Sequence, residues 1–254
     1  MARRKSAVLE SFQDIDFRNG KDIVAYIDNS RDKDAFHVKS LKWTEKQKRF
    51  IDICLNPETK IVFVEGPAGS SKTLLSVYSG LRMLSAGDVK ELTYIRSAVE
   101  SADSRLGFLP GDAEDKLHFF NLPFMDKLNE LVSEEQIKKL QKSQRVSTYP
   151  VNFSRGMSWN DRCIVLDECQ NSTFKEIVTV LTRIGENTKI FLCADNKQTD
   201  LRNGNRGGFE KLHNLFTGED SEKKGIHSFQ FDHNDIMRSE ILKYIIKKID
   251  TLEL

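Results

Sequence analysis

The chain has 254 residues, 39% of them hydrophobic, which is enough to fill one large α/β core with additions but not two such domains. Lys and Arg total 39 against 38 Asp and Glu, and the net charge of +1 excludes a globally basic protein, so any nucleic-acid site must be a local patch. Cys54, Cys163, Cys169 and Cys193 form no Cys-x-x-Cys pair, the five histidines lack metal-ligand spacing, and no apolar run approaches membrane-spanning length; a soluble cytoplasmic protein with reduced thiols, no zinc, no signal peptide and no membrane partner is expected.

Residues 1–40 are charged and only partly patterned, with a candidate strand at 22–27, and read as an N-terminal extension. The main domain is expected over 41–254. Phe50, Ile51, Cys54 and Leu55 fall at helical spacing before Asn56-Pro57 ends the segment. The apolar run Ile61-Val62-Phe63-Val64 then leads through Gly66-Pro67-Ala68-Gly69-Ser70-Ser71-Lys72-Thr73 into the helical pattern of Leu74, Leu75, Val77, Tyr78 and Leu81. A turn at Gly87-Asp88 precedes a short strand ending at Ile95, and this β-α-β order predicts a parallel sheet. Residues 97–161 read as an insertion, with loop signals at 109–112 and helical patterning across 124–140. The sheet is expected to resume at 163–166, followed by a helix capped near Ser172 or Thr173, a strand at 189–193, and a short helix through Phe209, Leu212 and Leu215. A polar turn at 218–225, a last strand near 228–231 and an amphipathic helix over 238–249, with Ile241, Ile245 and Ile249 on one face, complete the chain.

Strand, glycine turn and helix at 61–81 make a phosphate site. Successive backbone N–H groups wrap an anion at a helix N-terminus, a lysine reaches the outer phosphates, and a hydroxyl ligates magnesium. Gly66, Lys72 and Thr73 sit at the required spacing; Ser71 stands where glycine is usual. An ordinary Gly-rich turn is the plain alternative. The run Ile164-Val165-Leu166 ends in Asp167-Glu168, as a buried parallel strand would that delivers two carboxylates to the C-terminal edge of the sheet. In that setting Asp167 holds magnesium and Glu168 polarises an attacking water; a helix-capping acidic pair is the alternative. A strand between the P-loop strand and the Asp167-Glu168 strand, supplied by the segment ending at Ile95, supports a RecA-like sheet. Gln198, in the turn after the next strand, is placed to sense a γ-phosphate or orient water, or is simply part of a polar turn.

These residues and their neighbours resemble the PhoH-like ATPases, single-domain relatives of superfamily-one helicases, over about 41–250. The resemblance rests on Arg96-Ser97-Ala98-Val99-Glu100 with Leu106-Gly107-Phe108-Leu109-Pro110-Gly111-Asp112, on Phe153-Ser154-Arg155-Gly156 ahead of Asp167-Glu168-Cys169-Gln170-Asn171, on Leu181-Thr182-Arg183-Ile184-Gly185, and on Asp235-Ile236-Met237-Arg238-Ser239. Ser71, Cys169 and Ala194 depart from the family pattern, as in a divergent member of the kind that phages encode.

The resemblance implies a RecA-like fold, ATP and Mg2+ as cofactors, and hydrolysis coupled to remodelling or unwinding of single-stranded nucleic acid, RNA before DNA. It implies that Gln47 grips adenine, against a simple helix cap at Thr44 with Gln47 on the surface. It also implies that Arg238 is an arginine finger completing a neighbouring subunit's site, hence a homo-oligomer, with a hexameric ring as one form. Arg96, Arg105, Arg155, Arg202 and Arg206, with Phe108, Phe153 and Trp159, are the candidate nucleic-acid contacts, although each aromatic singly fits a core role better. Two other classes stay open: a nucleotide-gated assembly module that hydrolyses little, and a small-molecule kinase, which Glu168 and Gln198 together disfavour.

Overall fold

The computed structural model describes residues 36–96, 113–151, 158–196, 198–199, 207–237 and 240–249. Six strands, β1 (Ile61–Glu65), β2 (Glu91–Arg96), β3 (Val146–Pro150), β4 (Arg162–Asp167), β5 (Lys189–Ala194) and β6 (Ile226–Gln230), form one sheet. Its order is β3-β2-β4-β5-β1-β6 and every pairing is parallel. The helices are α1 (Glu45–Leu55), α2 (Lys72–Ala86), α3 (Ala113–Leu131), α4 (Glu134–Lys142), α5 (Phe174–Leu181), α6 (Gly208–Leu215), α7 (Glu219–Glu222) and α8 (Glu240–Ile249). This is an open α/β sheet flanked by helices, consistent with a RecA-like P-loop protein, as expected.

The central strands read as continuous apolar runs because both faces are covered. Val62, Val64, Leu92, Tyr94, Cys163, Val165, Phe191 and Cys193 pack on one face with α1 to α4; Phe63, Ile95, Ile164, Leu166, Ile190 and Leu192 alternate to the other, where Ile177, Val180, Phe209 and Leu212 of α5 and α6 meet them. Loss of a large member leaves a cavity that the surrounding structure closes only in part, which is why these positions are occupied mainly by large apolar side chains.

Helix ends follow their local chemistry. Thr44 caps α1 in a reciprocal box with Gln47, and Thr173 caps α5 in the same way with Glu176. Gly87, at φ 77°, ends α2 in the left-handed conformation that glycine adopts without steric penalty.

Four features depart from the expectation. The strand that lies between β1 and β4 in the sheet is β5, with Phe191 in register with both Val62 and Val165. The segment ending at Ile95 intervenes only in sequence, since β2 pairs on the far side of β4. The 97–161 segment supplies an edge strand, β3, as well as helices. Its Val-Ser-Thr-Tyr-Pro sequence buries only Val146 and ends on a proline, an edge-strand signature with little apolar signal. Ahead of residue 41, Phe36 and Val38 are buried in the core, and the Phe36 amide donates to Ser85 Oγ at 3.0 Å. The polar turn near 218–225 contains the one-turn helix α7.

All four cysteines are buried and free, as read. Burial pushes the Cys163 thiol up to about 12, so it stays a protonated core group at neutral pH. No helix among the described residues is long and apolar enough to cross a membrane.

Candidate functional site

The loop between β1 and α2 lies at the C-terminal edge of the sheet. Gly66 amide donates to Ala194 O at 3.2 Å, which ties the loop to the end of β5. A Cβ on Gly66 would stand 2.7 Å from Phe231 Cβ, so only glycine fits the closest approach of the two segments. Ser70 Oγ donates to Pro67 O at 2.8 Å and braces the turn. Ser71 takes a left-handed backbone, φ 66° and ψ 17°, as the N-cap of α2, with no side-chain cap bond. The usual glycine is explained by that conformation, which costs an L-residue about 1–2 kcal/mol.

Lys72 Nζ donates to Gly66 O at 2.6 Å and Pro67 O at 2.9 Å, so its ammonium lies across its own loop with a third donor to spare. Burial lowers its pKa, against the opposing pull of Asp195, Cys193, Asp167 and Glu168. Thr73, in the first turn of α2, donates through Oγ1 to Asp167 Oδ1 at 2.8 Å. The amides of this first turn have no carbonyl one turn back and so face the loop's interior as free donors for an anion.

Asp167 closes β4 and is 7% exposed. Its second oxygen, Oδ2, accepts from Tyr94 OH at 2.6 Å. Glu168 follows in a left-handed conformation at φ 54° and is thereby turned out of the strand. Gln170 Nε2 donates to Glu168 Oε2 at 2.6 Å, and the Arg96 guanidinium stands 3.7 Å from Oε1. Burial, then the neighbouring Asp167 charge, raises the Glu168 carboxyl above the usual range, while Gln170, Arg96 and Lys72 pull it back. No group of three or more His, Cys, Asp or Glu side chains among the described residues is placed to hold a metal by itself. An ion here would need the Thr73 hydroxyl and ligand oxygens as well.

Ser71, Lys72, Thr73, Arg96, Asp167, Glu168 and Gln170 line a cleft of about 510 Å³ together with Gln198, Asp195, Gln47, Trp43 and, from α3, Pro123, Lys127 and Glu130. A single cleft thus gathers the P-loop, both carboxylates and the Gln47 end. A model of the PhoH-like protein family matches residues 41–250.

The chain belongs to the PhoH-like family.

Curated PhoH-like proteins agree. That of Bacillus subtilis (strain 168) is 32% identical over 190 residues, covering 75% of this chain and 58% of its own length. That of Mycobacterium tuberculosis (strain ATCC 25618 / H37Rv) is 34% identical over 203 residues, 80% of this chain and 56% of its own. The Synechocystis protein is 28% identical over 210 residues, 83% and 62%. The chain therefore spans little more than half the length of these relatives. PhoH-like membership and the sheet together fit a nucleotide-binding P-loop protein.

Of the residues singled out in sequence, Gly66, Pro67, Ala68, Gly69, Ser70, Ser71, Lys72 and Thr73 form the loop and its helix start, with Asp167 and Glu168 opposite. Gln47 belongs to the capping box and also lines the cleft. It is 1% exposed and so is not a surface residue; its Oε1 accepts from the Thr44 amide at 3.0 Å. Gln198 is exposed in the turn after β5, and its carbonyl accepts from Gln170 Nε2 at 3.3 Å. Arg238, Arg105, Arg155, Arg202, Arg206, Phe108 and Phe153 lie outside the described residues. Trp159 is a core residue, 1% exposed, which removes it as a base-stacking platform.

Three residues of this PhoH-like site escaped the sequence reading. Gln170 is one side chain bridging two loops: besides Glu168 it accepts from the Asp195 amide at 3.0 Å. In the sequence Tyr94 is only a strand residue, though it is the one aromatic with a polar tip among the apolar residues of that run. Lys127 sits on an insertion helix whose pattern carries no hint of which loop it faces.

Proposed function

We propose that the cleft binds ATP with magnesium and hydrolyses it, and that turnover is coupled to binding and remodelling or unwinding of single-stranded nucleic acid, RNA in preference to DNA. The observation that carries this reading is the 2.8 Å bond between Thr73 Oγ1 and Asp167 Oδ1, next to Lys72 at the start of α2. Hard oxygen donors from β4 and α2 converge beside a lysine and a ring of helix-start amides, which is the donor set that suits Mg2+ and phosphate oxygens.

Thr73 and Asp167 are the residues that would hold the ion, which supplies charge neutralisation of the phosphate oxygens when bound. Lys72 exchanges its loop carbonyls for phosphate oxygens and places its charge against the outer phosphates. The amides of Gly69, Ser71, Lys72 and Thr73 donate to the phosphate chain, while that of Ser70 stays on Pro67 O. Glu168, turned out of β4 and carrying a carboxyl of raised basicity, accepts the proton of an attacking water. Gln198 orients that water from the opposite loop. Gln47 presents Nε2–H to adenine while Oε1 stays on the Thr44 amide.

Arg238 acts as the finger of a neighbouring subunit, and the working form is then a homo-oligomer, in the cytoplasm. Arg96, at the cleft edge and partly exposed, belongs to the path of the nucleic-acid backbone.

Steady-state phosphate release by the wild type and by Lys72→Ala, with and without single-stranded RNA or DNA at low salt, tests the reading, since backbone contacts are strongest there. Hydrolysis stimulated by RNA and abolished by Lys72→Ala is expected. Tight ATP binding without turnover in any condition would replace it with a nucleotide-gated assembly module, and a phosphorylated small molecule in place of free phosphate would indicate a kinase.

A further inference from the structure

We propose that Tyr94 is the positioning residue for Asp167, and that the insertion helix α3 sets Tyr94 through Phe124. The inference rests on the reading of Asp167 as a magnesium-binding carboxylate.

The two oxygens of Asp167 have different partners on different elements. Thr73 Oγ1 donates to Oδ1 at 2.8 Å from α2, and Tyr94 OH donates to Oδ2 at 2.6 Å from β2. Register explains the second contact. Arg96 lies opposite Asp167 and Tyr94 opposite Val165, so the phenol starts two residues back along the adjacent strand. Two residues of strand rise about 6.6 Å, and among strand-forming side chains a tyrosine is long enough to cover that span with a hydroxyl at its tip. A phenylalanine, leucine or threonine at the same place would leave Oδ2 without this donor.

The hydroxyl does more than satisfy a buried acceptor. By occupying Oδ2 it fixes the carboxylate plane, so that Oδ1 is the oxygen offered on the Thr73 side. A carboxylate free to rotate would present either oxygen and would spend part of its population turned toward the sheet. Outer partners of metal ligands act in this way, and their removal typically weakens metal binding about 10–100-fold.

The phenol is itself held. Its ring stacks on Phe124 with centroids 4.9 Å apart and planes 9° from parallel. Both rings are 1% exposed. Phe124 lies between Pro123 and Lys127 of α3, which line the nucleotide cleft. The helix is anchored next to that point, where Thr148 Oγ1 of β3 donates to Asn121 Oδ1 at 2.6 Å. Tyr94 therefore cannot change rotamer without moving Phe124, and Phe124 cannot move without α3. The segment between β2 and β4 thus determines how the Asp167 carboxylate is presented.

Tyr94→Phe tests this, because it keeps the stacked ring and removes only the hydroxyl. Mn2+ serves as the probe, its binding to the protein saturated with a non-hydrolysable ATP analogue followed by electron paramagnetic resonance. Analogue affinity in EDTA and the melting temperature are measured alongside. The expected result is Mn2+ affinity lowered about 10–100-fold with analogue affinity in EDTA unchanged. Phe124→Leu, which keeps the hydroxyl and loosens the ring, should lower Mn2+ affinity in the same direction by a smaller factor, and it keeps the inference testable if Tyr94→Phe does not fold. Unchanged Mn2+ affinity in the folded variant, whatever the melting temperature, would overturn the inference and leave the ATPase reading standing. Failure of the wild-type complex to bind Mn2+ at all would overturn both.

Discussion

Gln170 donates Nε2–H to Glu168 Oε2 at 2.6 Å while its own Oε1 accepts from the Asp195 amide at 3.0 Å, so one side chain joins the end of β4 to the end of β5. Thr199 Oγ1 adds a third link by donating to the Gln170 carbonyl at 3.0 Å. The loops that follow the two central strands are held together behind the carboxylate proposed as the base. Gln170→Ala should lower kcat by about 10–100-fold, part of the usual general-base contribution, with KM for ATP near the wild-type value. Single-turnover hydrolysis and equilibrium nucleotide binding separate the two effects; an equal loss of affinity would mean that Gln170 shapes the cleft rather than Glu168.

Ser71 holds a left-handed backbone at φ 66° without any side-chain cap bond in return. Ser71→Gly removes the steric penalty and loses no hydrogen bond, so it should stabilise the protein by up to about 1 kcal/mol, the gain being offset in part by the greater freedom of glycine in the unfolded chain. Chemical denaturation measures this. Nucleotide affinity should rise as well, because the residue before Lys72 no longer carries a side chain near the phosphates. A fall in stability would show that the Ser71 conformation is not strained.

Gln47 has two ends with different duties. Its Oε1 holds the Thr44 amide at 3.0 Å, and Nε2 is left as the donor toward the cleft. Gln47→Glu keeps an acceptor for Thr44 and deletes the donor; Gln47→Ala deletes both. The glutamate variant keeps the cap but buries a carboxyl, so it should lose some stability at neutral pH, and it should bind ATP about 5–10-fold more weakly, the worth of one net hydrogen bond. The alanine variant should lose about 1 kcal/mol of stability as well. If Gln47→Glu binds ATP as the wild type does, Gln47 is a cap and nothing more.

Lys189, at the start of β5, donates Nζ to Cys54 O at 3.0 Å and Asn56 O at 2.5 Å, closing the C-terminal end of α1. Burial lowers its pKa, with the Cys163 and Cys54 sulfurs, then Asp88 and Glu58, acting the other way. Lys189→Met preserves the apolar stem and removes the donors from two carbonyls, which should cost about 1–3 kcal/mol in urea unfolding. ATP binding should be unaffected, as this contact lies at the opposite edge of the sheet from the P-loop. A matching loss of nucleotide affinity would mean that α1 moves as a unit with Gln47.

Local pattern was sufficient wherever a feature depends on residues near one another in sequence. The P-loop, its flanking strand and helix, the Thr44 and Thr173 caps and the apolar strands ending at Asp167 and Ala194 all follow from spacing, because turn geometry, capping and burial on both faces each leave a mark within about ten residues. The strand Val146–Pro150 left no such mark, since an edge strand needs little apolar surface and its polar residues alternate weakly.

Which strands are neighbours, and which side chains meet, was decided only in three dimensions. Nothing in residues 189–194 announces that they lie between β1 and β4, and nothing in Tyr94 or Phe124 announces that they stack or that the phenol reaches Asp167. Such contacts join residues separated by tens of positions through the register of parallel strands, and one crossover placed elsewhere would send every one of them to a different partner. Sequence by itself determined that this chain carries a glycine-rich P-loop pattern and a pair of carboxylates on an α/β sheet; only the tertiary structure decided which side chains meet them, Tyr94 at Asp167 and Gln170 at Glu168, because those contacts depend on strand register and loop packing.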